Sequence, residues 1–375
     1  MHTELCDKVG IDVPIFAFTH CRDVAVEVSK AGGLGCLGSA FMMLDEFRDN
    51  LNAMDKAVGD KPYGVDLVFN PRRPGKGEGL SIEQVDELVW KDIPHQHREF
   101  AEKLMKEHGV PEWPEKDDKP SLGGMAYEVA MVLTEEALRH PKCKVFVSAM
   151  GTPPPEMVNM VHAQGRLVGA LTGSPKHALQ HKAAGLDFII ANGWEGGGHV
   201  GAISSIVLWP NLVDVVAPLP VLAAGGIGNG RQVLAALSTG AQGVWTGSLW
   251  LCVQEALTPP KLKERLLEAG LGDTVVSKSW SGKTARYLRN EWTDAWDGPD
   301  SPGPLPSPQQ WLLTTDARRR TERYAEQGQV VDVAFAGAGQ VIGQIGQVES
   351  TREVMARLMS EYADAFERVA ATMPR

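Results

Sequence analysis

The chain has 375 residues, is 43% hydrophobic and 22% charged, and carries a formal net charge of −10. That length suits one large barrel-type domain with additions, or two domains, and builds a core without disulfide or metal staples. The acidic balance argues against a nucleic-acid partner, which needs a basic patch, but leaves room for a small anion held by backbone amides.

Taken in chain order, short apolar runs at 13–18, 35–38, 63–69, 144–148, 167–171, 187–191, 221–225 and 243–246 read as strands. They are continuously apolar rather than alternating, which is the pattern of parallel strands buried on both faces. Helical spacing fills gaps between them at 23–31, 44–58, 175–184 and 230–238. Eight such units predict a closed (β/α)8 TIM barrel, with a doubly wound open sheet as the alternative. An insertion at 71–120 follows the third strand and is rich in Pro, Gly and charge, with an amphipathic helix near 82–90. It reads either as a lid over the barrel mouth or as a solvated segment without a chemical role. From residue 255 onward helical patterns at 308–327 and 351–372 predict a mostly helical extension packed on a barrel of residues 1–254.

Five cysteines (Cys6, Cys21, Cys36, Cys143, Cys252) are scattered, with no C-x-x-C pair, and read as buried thiols of a reducing compartment. The segment M-H-T-E-L-C-D-K-V-G has no basic region followed by an apolar core, and no run is long enough to span a bilayer. The expectation is therefore a cytoplasmic protein with no membrane partner.

The chemistry concentrates in two glycine-rich regions. Residues 189–201 read I-I-A-N-G-W-E-G-G-G-H-V-G, a buried strand opening into a loop that ends near His199. Glycines let the backbone press against a ligand, and an imidazole there can move a proton near neutral pH. The bland alternative is a histidine that caps a backbone carbonyl. Later come A-A-G-G-I-G-N-G-R over 223–231 and A-Q-G-V-W-T-G-S over 241–248. Each turn presents backbone N–H groups where barrels bind phosphate, after the seventh and eighth strands. The spacing Gly226-x-Gly228-x-Gly230 is not a dinucleotide fingerprint.

Other candidates point elsewhere. His177 and His181 stand four apart on a helix without an intervening Glu or a third ligand, and read as a surface helix rather than a metal site. His95 and His97 lie in the polar insertion and read as solvated. Trp90, Trp113, Trp280, Trp292 and Trp296 read as packing anchors more than as pocket walls.

The segments A-G-G-L-G at 31–35, N-G-W-E-G-G-G-H-V-G at 192–201, A-A-G-G-I at 223–227, W-T-G-S at 245–248, and S-G-K-T-A-R at 281–286 with Asn290, in this order, resemble the nitronate monooxygenase family. The resemblance implies an FMN-dependent barrel oxidoreductase that oxidises alkyl nitronates with molecular oxygen. It places His199 as the catalytic base or charge partner. It places Phe18, Asp66, Asn192, Gly197 and Gly226 about the flavin, with Trp245, Thr246, Gly247 and Ser248 turning around its phosphate. Glu195 reads as a solvated or helix-capping carboxylate, and Arg286 either meets an anion or makes a structural ion pair. Two positions depart from the family pattern: Asp66 stands where Asn is usual, and Phe18-Thr19 replace Pro-Met. A carboxylate at Asp66 would repel an anionic reduced flavin unless it is protonated or turned away. The alternatives are an NAD(P)H-dependent FMN reductase of quinones or enoyl thioesters, a flavin-free phosphate-binding lyase or isomerase, and a flavin-binding module without turnover. Homo-oligomerisation is left open.

Overall fold

The computed structural model describes residues 1–69, 81–112, 121–122 and 126–372, with the side chains of 328–329 excepted. Eight parallel strands close into a barrel: β1 (Ile15–Thr19), β2 (Leu34–Gly38), β3 (Tyr63–Leu67), β4 (Cys143–Ser148), β5 (Leu167–Thr172), β6 (Phe188–Asn192), then β8 (Val221–Ala224) and β9 (Gly243–Thr246). β9 pairs back onto β1 through Ile15 and Val244, so no strand edge is left exposed. A two-residue strand, β7 (Gly198–His199), lies outside the barrel and joins β11 (Ala285–Leu288), which in turn pairs with β10 (Thr274–Ser277).

Helices precede and separate these strands: α1 (Glu4–Val9), α2 (Arg22–Lys30), α3 (Leu44–Ala57), α4 (Ile82–Lys91), α5 (His95–Glu107), α6 (Tyr127–Leu138), α7 (Pro155–His162), α8 (Pro175–Ala183), α9 (Ser205–Val216) and α10 (Gly230–Ser238). The last third carries α11 (Pro260–Glu268), α12 (Glu291–Asp297), α13 (Gln309–Arg323) and α14 (Thr351–Ala370). α14 packs between α10 and α2, the place of the eighth helix in the ring. Gly230 makes this possible, because a Cβ there would stand 2.2 Å from the Tyr362 nitrogen. A capping box of Ser350 and Glu353 starts α14.

The barrel interior is filled by alternate residues of the strands, among them Phe16, Leu34, Val145, Val147, Phe188, Ile190 and Leu222. The layer between strands and helices is a separate apolar cluster on each side. A fourth cluster joins α4 and α5 to the tail through Trp280, Trp292, Trp296, Leu312 and Leu313.

The eight-stranded barrel expected from the apolar runs is present. Its first strand begins two residues later than expected, because Pro14 has no N–H for the ladder and contributes only its carbonyl, to Val244. The insertion, in its described part, is not a solvated segment: α4 and α5 pack against α13. His97 is buried, bonded through Nε2 to the Gly303 carbonyl and stacked on Trp296, where a solvated residue was expected. His181 is likewise buried, not on the surface, and bonds Thr152 Oγ1 and the Leu171 carbonyl. Trp280, Trp292 and Trp296 are packing anchors as expected, while Trp113 lies outside the described residues. All five cysteines are buried and free.

Candidate active site

The C-terminal ends of the barrel strands converge on one mouth, the usual location of a barrel active site. Strand register decides which side chains enter it. Gly38, Asp66 and Val147 are neighbours across β2, β3 and β4, and Val147 belongs to the interior cluster, so Asp66 shares the inward register. Phe18 packs beside this cluster and stacks on Trp245 at 6.1 Å. Asn192 ends β6 opposite Ala224 of β8.

The loop after β6 is tied down by its own residues. Asn192 donates Nδ2–H to the His199 carbonyl at 2.9 Å, closing the loop into a hoop. Glu195 accepts from the Ser205 N–H at 2.9 Å and from its hydroxyl, so it caps the start of α9, as the helix-capping reading expects. Gly197 packs against the backbone of 338–339; a Cβ there would stand 2.7 Å from the Gly339 nitrogen. Arg286 is buried, donates twice to the Trp194 carbonyl and once to Thr274 Oγ1, and lies over the Trp194 ring. Its guanidinium braces the loop from behind.

His199 sits at the end of this hoop, held by the pairing of β7 with β11 opposite Ala285. Its Nε2 lies 3.0 Å from Ser281 Oγ. The Ser281 hydroxyl proton is directed at the Lys283 carbonyl, 3.2 Å away. In the tautomer protonated at Nε2, His199 donates to the Ser281 oxygen and its Nδ1 lone pair is the basic atom. The Tyr287 hydroxyl, its pKa pushed up to about 12 by burial, bonds Ser281 as well. Burial and then the Lys283 charge lower the His199 pKa to about 4, so the imidazole is neutral at pH 7. Trp311 from α13 walls this histidine, with ring centroids 5.8 Å apart. Trp311 stacks in turn on Phe41, whose other partners include Arg318, 4.0 Å from its ring.

The turns after β8 and β9 expose unpaired backbone donors. Gly225 and Gly226 have φ of 96° and 72°, which a side chain rarely adopts. Among the described residues the N–H groups of Gly226 and Ser248 donate to nothing. Ser248 Oγ accepts from the Gly339 N–H at 2.7 Å, which leaves its own proton to offer. A Cβ at Gly247 would meet only Phe18, in ordinary contact at 3.8 Å. Thr246 differs: its hydroxyl bonds the Phe16 carbonyl and accepts from Trp250 Nε1, so its side chain braces the turn. These free N–H groups and the Ser248 hydroxyl fit a bound phosphate such as that of a flavin nucleotide.

Ser281, Trp311, Phe41 and Gly339 were not singled out as site residues from sequence. Ser281 lies in a motif that carries the family resemblance, and this was the one available signal. Among the described residues there is no cluster of three or more His, Cys, Asp or Glu side chains able to hold a metal, and no helix is long and apolar enough to cross a membrane.

An imidazole, unpaired backbone donors and aromatic walls meet at the mouth of a (β/α)8 barrel, the arrangement of a barrel enzyme that takes an anionic ligand. The chain belongs to the nitronate monooxygenase family, whose model matches residues 3–361. It is an oxidoreductase of that family, in which a flavin is the redox group. It is 41% identical, over all of both chains, to the Mycobacterium tuberculosis protein Rv1533, which carries a provisional monooxygenase name. It is 30% identical, over 78% of this chain and 67% of the relative, to a Mycobacterium tuberculosis dehydrogenase named for a hydroxy-methyl-oxo-octahydroindene carboxyl-CoA. The fold matches the nitroalkane oxidase of Streptomyces ansochromogenes with a TM-score of 0.76 at 23% identity, over 97% of this chain and 99% of that one.

Proposed function

We propose that the chain oxidises alkyl nitronates, and the neutral nitroalkanes that give rise to them, with molecular oxygen as co-substrate and FMN as cofactor. The observation that carries the reading is the His199–Ser281 pair, which leaves one imidazole lone pair at the mouth of a flavin-family barrel. FMN, when bound, supplies the redox chemistry and the reaction with oxygen. Gly226, Gly247 and Ser248 hold its phosphate through backbone N–H groups and the Ser248 hydroxyl. Trp245 and Thr246 shape that turn, and Phe18, Asp66, Asn192 and Gly197 surround the rest of the cofactor.

His199 Nδ1 takes the proton from the carbon beside the nitro group, and the electron pair of that C–H bond moves into the nitro group to give the nitronate. The cationic imidazolium then faces the new anion, which raises its pKa back from the resting value. Lys283 adds positive field at the same place. A neutral resting imidazole favours the role of base over that of a standing charge partner. Trp311 and Phe41 exclude water from one side.

His199→Asn tests this reading. It is expected to keep FMN, to lose about 100-fold or more of its turnover on neutral nitroalkanes, and to lose less on preformed nitronates. Equal activity of variant and wild type on nitroalkanes would remove His199 as the base.

One observation favours a second reading. The relative that is 30% identical is named as a dehydrogenase of a carboxyl-CoA, which supports a flavin-dependent reaction on a coenzyme A thioester. Reduction of the bound flavin by NAD(P)H, or turnover of such a thioester, with no response to nitronates would put that reading first.

A further inference from the structure

Asp66 is a buried group of the mouth whose chemistry the reading above does not use. It is 3% exposed and lies at the inward register of β3. Among the described residues its carboxyl makes no hydrogen bond and no ion pair, whereas its own main-chain carbonyl is occupied by the Ser39 N–H and hydroxyl. A buried carboxylate without a partner is costly enough that the group neutralises instead. The elements packed on β3 offer it no counter-charge. From β2 only the Cys36 thiol feels it, and that thiol is itself held neutral by burial. No charged group of β4, α2 or α6 acts on it, and burial alone pushes the Asp66 pKa well above the usual carboxylate range.

We propose that Asp66 is kept as a neutral carboxylic acid and donates its O–H to the flavin bound in the barrel mouth. The inference rests on the FMN reading. A neutral carboxyl presents a donor and an acceptor, as an amide does, so it can stand where a related chain has Asn without setting a negative charge against a reduced flavin. It differs from Asn in one respect: it can be switched off. Above its pKa the donor is lost and an anion takes its place beside the ring. A buried acid kept protonated so that it can donate is a known device of active sites.

Infrared spectroscopy of the whole protein tests this without turnover, with FMN as the probe. The flavin-free protein at neutral pH is expected to show the carbonyl stretch of one buried protonated carboxyl, absent in Asp66→Asn. Adding FMN should move that band to lower frequency. On raising the pH, the wild-type flavin absorbance should shift with the loss of one proton, and Asp66→Asn, compared at equal FMN loading, should lack that shift. The absence of the band at neutral pH overturns the neutral acid. A band unmoved by FMN, or the same alkaline shift in both proteins, overturns the donor role. Failure of the wild type to bind FMN at all overturns the cofactor reading, and the donor role with it, while the band still reports the protonation state. Because the wild-type band and its response to FMN need no variant, the result does not depend on Asp66→Asn folding.

Discussion

His199 Nε2 and Ser281 Oγ lie 3.0 Å apart, and Ser281 Oγ is itself 3.2 Å from the Lys283 carbonyl. These residues come from opposite strands of the small sheet outside the barrel or its flanking turn, β7 for His199 and the approach to β11 for Ser281. The contact orients the imidazole, and in the tautomer protonated at Nε2 it leaves Nδ1 as the basic atom. The small sheet therefore has a chemical consequence: it orients a base that the barrel alone would leave loose.

Ser281→Ala should keep the fold and FMN but free the imidazole to turn and to change tautomer. Steady-state turnover of a neutral nitroalkane is expected to fall by about tenfold to a hundredfold, the usual cost of misplacing a reacting group. Turnover of a preformed nitronate, which needs no base, should fall less. Equal losses on both substrates would show that Ser281 acts on stability or flavin binding, not on His199.

The acid limb of activity should sit low. A base must be neutral to work, so its contribution is complete above its pKa and is lost as pH falls through it. With the pKa of His199 lowered to about 4 by burial and Lys283, kcat/KM for a neutral nitroalkane should hold through mildly acidic pH and fall only near pH 4. Lys283→Met removes the second cause and should move that limb upward. A limb already at the ordinary histidine pKa of about 6.5 would show that the site is wetter than its packing implies.

Gly226→Val should loosen the cofactor. The residue has φ of 72°, and a Cβ there would stand 3.1 Å from the Glu195 Cβ, on the residue that caps α9. A β-branched side chain at that backbone conformation is strained by about 1–2 kcal/mol before any clash is counted. FMN occupancy after purification should drop several-fold, and equilibrium dialysis with added FMN would measure the weakening. Unchanged affinity would move the phosphate away from this turn.

The barrel was legible because its strands are buried on both faces and so appear as apolar runs such as Phe188 to Ala191 and Val221 to Ala224. The glycine turn at Gly225 and Gly226 was legible because a positive φ at a strand end favours that residue. What was not legible rests on pairing across long stretches of chain. Strand β7 is two residues, Gly198 and His199, and exists only because Ala285 and Arg286 lie beside it. Trp311 reaches His199 only because α13 is packed by α4 and α5 over the barrel mouth, and no local pattern encodes that placement. His97 and His181 were misjudged for a related reason: a polar neighbourhood in sequence does not reveal the carbonyls and rings that bury a histidine in space.

In the proposed reaction a flavin in this mouth takes electrons from a nitronate. The most direct test is the absorbance spectrum of the FMN-loaded protein, recorded without oxygen, before and after addition of a small alkyl nitronate. The oxidised-flavin absorbance should be lost on mixing and return when air is admitted. A spectrum that stays oxidised in the presence of saturating nitronate, from protein that demonstrably holds FMN, would contradict it.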